Sequence, residues 1–298
     1  MLENVKFLTS ELVQRYYYLP RRQRAYSEKQ ASFLHKTPEG LRFMLKPNEE
    51  VDRYIAVEGI YERRFVRYLR TIMPPDAVMI DIGANIGNHA LYLHDICSRV
   101  ECFEPNPEVA DRLKKNIDLN HAHNVHVHRV GLGNRNDEIP FFINIAGNVG
   151  NSGFFMTPEA RPEAFREVML PIRKADEAID ELDLERLDFI KIDIEGLEAE
   201  IFRGLSPTIA KYRPLISFEY HGRAQPKSDF ETIARCLPNY RIGEPTYAPE
   251  SLGKHRKALY LLRHGSRVFL NEVREPESRS YENLLAIPQE DPLAKGLD

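Results

Sequence analysis

The rhythm of apolar positions changes near residue 77. Before it, Leu8, Leu12, Val13, Tyr16 and Leu19 recur at helical spacing until Pro20. Phe65, Val66 and Leu69 mark one face of a second helix, predicted over 61–72 and stopped by Pro74 and Pro75. Beyond residue 77, short apolar runs alternate with helical patterns. Val78-Met79-Ile80-Asp81 reads as a strand closed by Gly83, followed by a helix over 86–96. Val100-Glu101-Cys102-Phe103 is a second strand, with a helix over 108–119, and 125–130 is a third, ended by Gly131-Leu132-Gly133. Shorter strand patterns cover 139–145 and 169–172. Phe189-Ile190-Lys191-Ile192-Asp193 reads as a buried strand entering a helix over 197–202, and Pro214-Leu215-Ile216-Ser217-Phe218 as another, before a helix over 229–236. Runs at 240–242 and 258–262 are expected to finish the sheet.

This alternation predicts an α/β fold, with a mostly parallel sheet covered by helices on both faces. Ligands in such sheets bind beyond the carboxyl ends of the strands, where the strand order reverses. Residues 1–58 are expected to form a helical or irregular N-terminal extension and 59–270 the main domain. From residue 271 the chain is charged and proline-bearing without periodicity, which predicts a flexible tail.

Composition narrows the function classes. The chain has 298 residues, 42% hydrophobic and 29% charged, and no apolar stretch of the length a spanning helix needs. Met1-Leu2-Glu3-Asn4-Val5-Lys6 lacks a basic region followed by an apolar run, so no secretory signal is expected. Cys97, Cys102 and Cys236 are scattered without CxxC spacing; this excludes a cysteine-built zinc site and predicts a cytoplasmic protein. A net charge of −4 argues against a general nucleic-acid binder. Lys and Arg outnumber Asp and Glu over residues 1–76, which suits either an anionic partner or a solvated helical surface.

The chemistry concentrates in Asp81-Ile82-Gly83-Ala84-Asn85-Ile86-Gly87-Asn88, between the first strand of the alternating region and its helix. Glycine there lets the chain turn tightly and lets a ligand approach the main chain. A dinucleotide site wants G-x-G-x-x-G, whose middle glycine clears space for pyrophosphate. Here the spacing is G-x-x-x-G, with Asn85 inside it and Asp81 before it. A carboxylate is a poor neighbour for phosphate and a good one for an ammonium or sulfonium group. Glu104 closes the next strand, about 20 residues beyond Gly83, the offset at which a carboxylate accepts ribose hydroxyls. Together these features point to a cationic nucleoside.

At these residues the sequence resembles the FkbM family of S-adenosylmethionine-dependent methyltransferases. The resemblance spans about 59–262 and rests on Gly59-Ile60-Tyr61-Glu62, the Asp81–Gly87 loop, Phe103-Glu104-Pro105-Asn106-Pro107 and Lys191-Ile192-Asp193-Ile194-Glu195-Gly196. It implies a class I, Rossmann-like methyltransferase fold with a seven-stranded sheet. It further implies that Asp81, Gly83, Asn85 and Gly87 surround the methionine part of S-adenosylmethionine, that Glu104 holds the ribose, and that Gly131 and Leu132 border the adenine. Family members generally methylate oxygen on polyketides, sugars or related metabolites, so the expected acceptor is a small molecule or carbohydrate. The first 47 residues match no family pattern.

Transfer to an alcohol requires a group that takes the hydroxyl proton. Candidates stand at two strand ends: Asp193 and Glu195 after one, Glu219 and His221 after the next. His221 is the expected base, since an imidazole titrates near neutrality; an ordinary loop histidine is the plain alternative. Asp193 and Glu219 holding Mg²⁺ is the less favoured scheme, and Glu195 reads as a helix start. His121, His123, His126 and His128 resemble a metal box, yet only His126 and His128 share a strand face, so ordinary histidines are expected. Asn148 to Gly153 is a polar loop that suits either closure over the cofactor or a solvated turn. A non-catalytic nucleoside-binding module and a nicotinamide-dependent oxidoreductase are the rival readings. The missing middle glycine disfavours the second, and the absence of an NPPY-like or DPPY-like tetrapeptide disfavours nucleic-acid methylation.

Overall fold

The computed structural model describes residues 32–47, 49–144, 165–194, 196–222, 225–247 and 268–297. Its centre is an eight-stranded sheet built from β3 (Ala77–Ile82), β4 (Cys97–Phe103), β5 (Val125–His128), β9 (Phe189–Ile192), β10 (Leu215–His221), β11 (Tyr240–Thr246), β12 (Phe269–Glu272) and β13 (Ser280–Pro288). Their spatial order is β12-β11-β13-β10-β9-β3-β4-β5. Strands β10, β9, β3, β4 and β5 pair in parallel. β13 lies antiparallel between β10 and β11, and β12 is an antiparallel edge strand on β11. The sheet is thus mostly parallel, with β12 added to the expected seven strands.

Chain order reverses at β3, with β4 on one side and β9 on the other. All six residues of β3 are buried, because the strand has packed layers on both faces. Met79 joins one hydrophobic core, while Val78, Ile80 and Ile82 join the other. The first core is closed by α1 (Glu50–Glu58), α2 (Arg63–Ile72), α3 (Asn88–Leu93) and α4 (Pro107–Asn120). The second is closed by α5 (Ala175–Asp180), α6 (Glu198–Tyr212) and α7 (Lys227–Cys236).

Three expectations are corrected. The segment expected as a loose tail contains β13, whose Leu284, Leu285, Ala286 and Ile287 are fully buried. That apolar run fills the place between β10 and β11; the run at 258–262, expected to help finish the sheet, lies outside the described residues. The domain boundary at 59 also moves. β1 (Phe33–Lys36) and β2 (Arg42–Leu45) form an antiparallel hairpin whose Phe43 and Leu45 are buried in the first core beside Ile55 of α1. Asn116 and Asn120 of α4 fasten it: their side-chain oxygens accept from the Met44 and Arg42 amides, each at 2.8 Å. Third, the weaker strand patterns do not join the main sheet. β6 (Gly131–Gly133), β7 (Asp137–Asn144) and β8 (Phe165–Lys174) form their own sheet, ordered β6-β8-β7. The periodic run at Leu8 to Leu19, the loop at Asn148 to Gly153 and Glu195 also fall outside the described residues.

Candidate active site

Parallel pairing brings the carboxyl ends of β3, β4, β9 and β10 to one edge, and the residues singled out in the sequence gather there. Asp81 on β3 is 1% exposed, and neither of its carboxylate oxygens has a hydrogen-bond partner. Burial raises its pKa, while Lys191 and His89 pull the other way. A buried carboxylate with no donor is costly unless a ligand supplies one.

The loop after β3 turns tightly against the main chain that follows β9. Gly83 has φ +81°, and a Cβ there would stand 1.9 Å from the Asp193 carbonyl oxygen, so only glycine fits. Asn85 also lies in the left-handed region, at φ 50°, and its amide donates to Glu104 Oε2 at 3.0 Å. Gly87 caps α3 with φ 91°. The amides of Gly83 and Ala84 donate to the Phe103 carbonyl, locking the loop to the end of β4.

Glu104 is 8% exposed, and its second oxygen accepts from the Asn106 amide at 2.9 Å. Burial pushes its carboxyl up to about 7 against the two amide bonds that favour the charge. A carboxylate has about four lone-pair sites, so two remain for a pair of hydroxyls. Asn106 also caps α4, its side chain accepting from the Glu108 amide. Gly131 lies against Pro105, next to Glu104, where a Cβ would meet the proline at 3.5 Å. Leu132 is 5% exposed and packs in the second core with Phe103.

On the neighbouring strands, Lys191 Nζ lies 2.6 Å from Asp193 Oδ2. Burial works against the Asp193 charge, but Lys191 outweighs it and holds the carboxyl below its ordinary value. Glu219 behaves oppositely: burial and the charge on Asp193 push its carboxyl up to about 8. His221 Nε2 stands 3.3 Å from Glu219 Oε2, with side-chain exposures of 30% and 14%. Burial and neighbouring charges thus drive the two carboxyls in opposite directions. The end of β10 is fixed by a buried chain of contacts: the His221 amide donates to Gln225 Oε1 at 2.7 Å, and Gln225 Nε2 donates to Glu198. Glu198 also accepts from the Gly196 amide at 3.0 Å.

Sequence reasoning overlooked a fourth wall. Asn88, the first residue of α3, grips the Tyr61 main chain both ways, accepting from its amide and donating to its carbonyl at 3.0 Å each. Glu62, with φ 53°, is thereby turned inward. One of its oxygens accepts from Asn283 of β13, and the other lies 2.9 Å from His89 Nε2, near enough for an ion pair but off the line of a hydrogen bond. The register of β10 on β13 slips between Phe218 and Tyr220, which sets Asn283 beside Glu219's strand. The sole advance signal for Glu62 was its place in Gly59-Ile60-Tyr61-Glu62.

The histidine run does not gather. His128 pairs with Glu101 at 2.5 Å and stacks on Phe103 at 4.6 Å, while the His121 and His123 rings stand 6.4 Å apart. Among the described residues no group of three side chains is placed to hold a metal ion, and no helix is long and apolar enough to cross a membrane.

Comparison with known proteins gives the family. Residues 81–267 match the family model of the methyltransferase FkbM domain. The hexuronic acid methyltransferase AglP of Haloferax volcanii is 30% identical over 194 residues, covering 62% of this chain and 72% of the relative. The 2-O-methyltransferase NoeI of Sinorhizobium fredii is 29% identical over 223 residues, covering 70% and 85%. The AMB antimetabolite synthetase AmbE of Pseudomonas aeruginosa is 30% identical over 230 residues, but the matched region spans only 10% of that protein. With the family model covering more than half of the chain and most of the sheet, the chain belongs to the FkbM methyltransferase family.

Proposed function

We propose that this protein transfers a methyl group from S-adenosylmethionine to a hydroxyl oxygen of a sugar or related small metabolite. The observation that carries the reading is Asp81, a buried carboxylate whose oxygens accept no hydrogen bond within the fold, on the strand paired with the one that Glu104 follows, and Glu104 has acceptor capacity to spare. These residues fit the two ends of the cofactor: Asp81 for its ammonium, Glu104 for its ribose hydroxyls. Gly83, Asn85 and Gly87 shape the passage between them, and Gly131 borders the adenine side with Leu132 behind it. When bound, the cofactor supplies an electrophilic methyl on a positively charged sulfur.

The chain's own task is to hold an acceptor oxygen in line with that methyl and to take its proton. His221 is the more exposed member of its pair and meets the acceptor hydroxyl, while Glu219 orients the ring and shares the proton. Asp193, tied to Lys191, stays ionised and holds the loop and β9 in register. The names of AglP and NoeI, a hexuronic acid methyltransferase and a 2-O-methyltransferase, support a sugar hydroxyl as acceptor.

Incubation with methyl-labelled S-adenosylmethionine and a panel of sugars and glycosides tests the proposal. Label is expected on an ether oxygen of at least one sugar; label confined to nitrogen or to nucleic acid overturns the acceptor assignment.

A further inference from the structure

We infer that Lys191 is a positioning residue for the cofactor. It supplies the counter-charge that lets buried Asp81 stand as a carboxylate, while its own hydrogen bond goes to Asp193 and leaves Asp81 open to an incoming ammonium. The inference rests on the methyl-transfer reading above and adds to it a residue that itself meets no reacting atom.

The geometry comes from strand register. Parallel pairing sets Asp81 of β3 opposite Lys191 of β9 on one side and opposite Cys102 of β4 on the other. Lys191 in turn stands opposite Ser217 of β10. Residues paired in register point to the same face of a sheet, so these four side chains form one buried row. The face is that of the first core, to which Met79, two positions before Asp81, belongs, and α3 packs on it.

Within this row the hydrogen bond and the charge go separate ways. Lys191 Nζ donates to Asp193 Oδ2 at 2.6 Å, two positions along β9. Neither oxygen of Asp81 accepts a hydrogen bond. Asp81 therefore has a fixed positive charge beside it and both oxygens open to a ligand.

The other ionisable groups facing Asp81 do not replace that charge. The Cys102 thiol is fully buried, which pushes it well above its ordinary value and keeps it neutral. His89 of α3 is turned to Glu62, with Nε2 at 2.9 Å from Oε2. Asp193 adds a second negative charge. Burial pushes the Asp81 carboxyl up, and Lys191 is the strongest pull against it.

The count of charges then matches the ligand. Asp81 and Asp193 set two negative charges against the one positive charge of Lys191, and the cofactor's ammonium makes the second. Without Lys191, the two carboxyls would lose their shared cation. Asp81, at 1% exposure against 25% for the Asp193 side chain, is then the one that takes up a proton and ceases to attract an ammonium.

Calorimetric binding to the full chain tests this with two ligands: S-adenosylhomocysteine, and methylthioadenosine, which keeps the nucleoside and lacks the amino-acid end. The wild type is expected to prefer S-adenosylhomocysteine. In Lys191→Met that preference should fall about tenfold, with methylthioadenosine binding nearly unchanged. In an Asp81→Asn background the same substitution should change the preference by less than about twofold, because Lys191 acts through Asp81. Equal losses for both ligands in Lys191→Met, no loss for either, or an undiminished loss in the Asp81→Asn background overturns the inference. If Lys191→Met alone does not fold, the double variant, which removes both charges, is compared with Asp81→Asn, and a difference beyond about twofold overturns it. A wild type that binds both ligands equally also overturns it. A wild type that binds neither instead removes the methyl-transfer reading itself.

Discussion

Lys191 Nζ lies 2.6 Å from Asp193 Oδ2 at the carboxyl end of β9, and this contact sets the charge pattern of the whole cleft. Lys191 is 3% exposed, and although burial opposes its charge, Asp193 and Asp81 keep its pKa above the ordinary value. Lys191 also acts on Glu219, but burial and the charge on Asp193 outweigh it and its His221 partner. One carboxyl stays ionised and the other holds a proton near neutrality.

That asymmetry makes stability depend on pH. The Glu219 carboxyl sits at about 8 in the folded protein against an ordinary 4.5, and Glu104 at about 7 against the same value. Raised carboxyls mean that the folded state binds more protons than the unfolded state between about pH 4.5 and 8. Their contribution is complete below the lower value and is lost as pH rises through the upper one. The melting temperature of the ligand-free protein is expected to fall between pH 5.5 and 8.5, and Glu219→Gln should flatten that slope in a calorimetric series.

On the proposed reading, Glu104→Ala removes the acceptor for two ribose hydroxyls. Affinity for S-adenosylhomocysteine should drop by about 1.5–3 kcal/mol, the scale of hydrogen bonds to a charged group. An unchanged dissociation constant would refute the ribose assignment.

His221→Ala should lower turnover by about 10²–10⁴-fold, the range for losing a general base. S-adenosylhomocysteine affinity should stay within about twofold of wild type, because His221 lies at the end of β10, outside the glycine loop, and the proposed reading sets it at the acceptor. Parallel losses in turnover and cofactor affinity would place His221 in the binding machinery instead.

Gly83→Ala is expected to abolish cofactor binding. The added Cβ would lie 1.9 Å from the Asp193 main-chain oxygen, and the backbone at φ +81° is strained for any residue with a side chain. A stability loss above about 2 kcal/mol should accompany it in urea unfolding.

Much of this site was legible because its residues sit at the ends of strands that the sequence announces. β3, β4, β9 and β10 are apolar runs buried on both faces, and Asp81, Glu104, Asp193 and Glu219 follow or close them. β13 was missed because its apolar run, Leu284 to Ile287, follows a stretch of arginine, glutamate and proline that reads as tail. The β1–β2 hairpin has strands of only four residues each, too short for a clear alternation. Glu62 was hidden for another reason. Its partner Asn283 is 221 positions away, and no local pattern reports a contact made by closing the sheet with its last strand. The glycine loop after β3 is local and readable; the Glu62–Asn283 contact is assembled by topology.

The most direct test of the central claim is a calorimetric titration of S-adenosylhomocysteine into the wild-type chain and into Asp81→Asn. Wild type is expected to bind with one site per chain, and Asp81→Asn at least about tenfold more weakly, since the ammonium loses its counter-charge. Absence of binding to wild type, or equal affinity in the two proteins, would contradict the account.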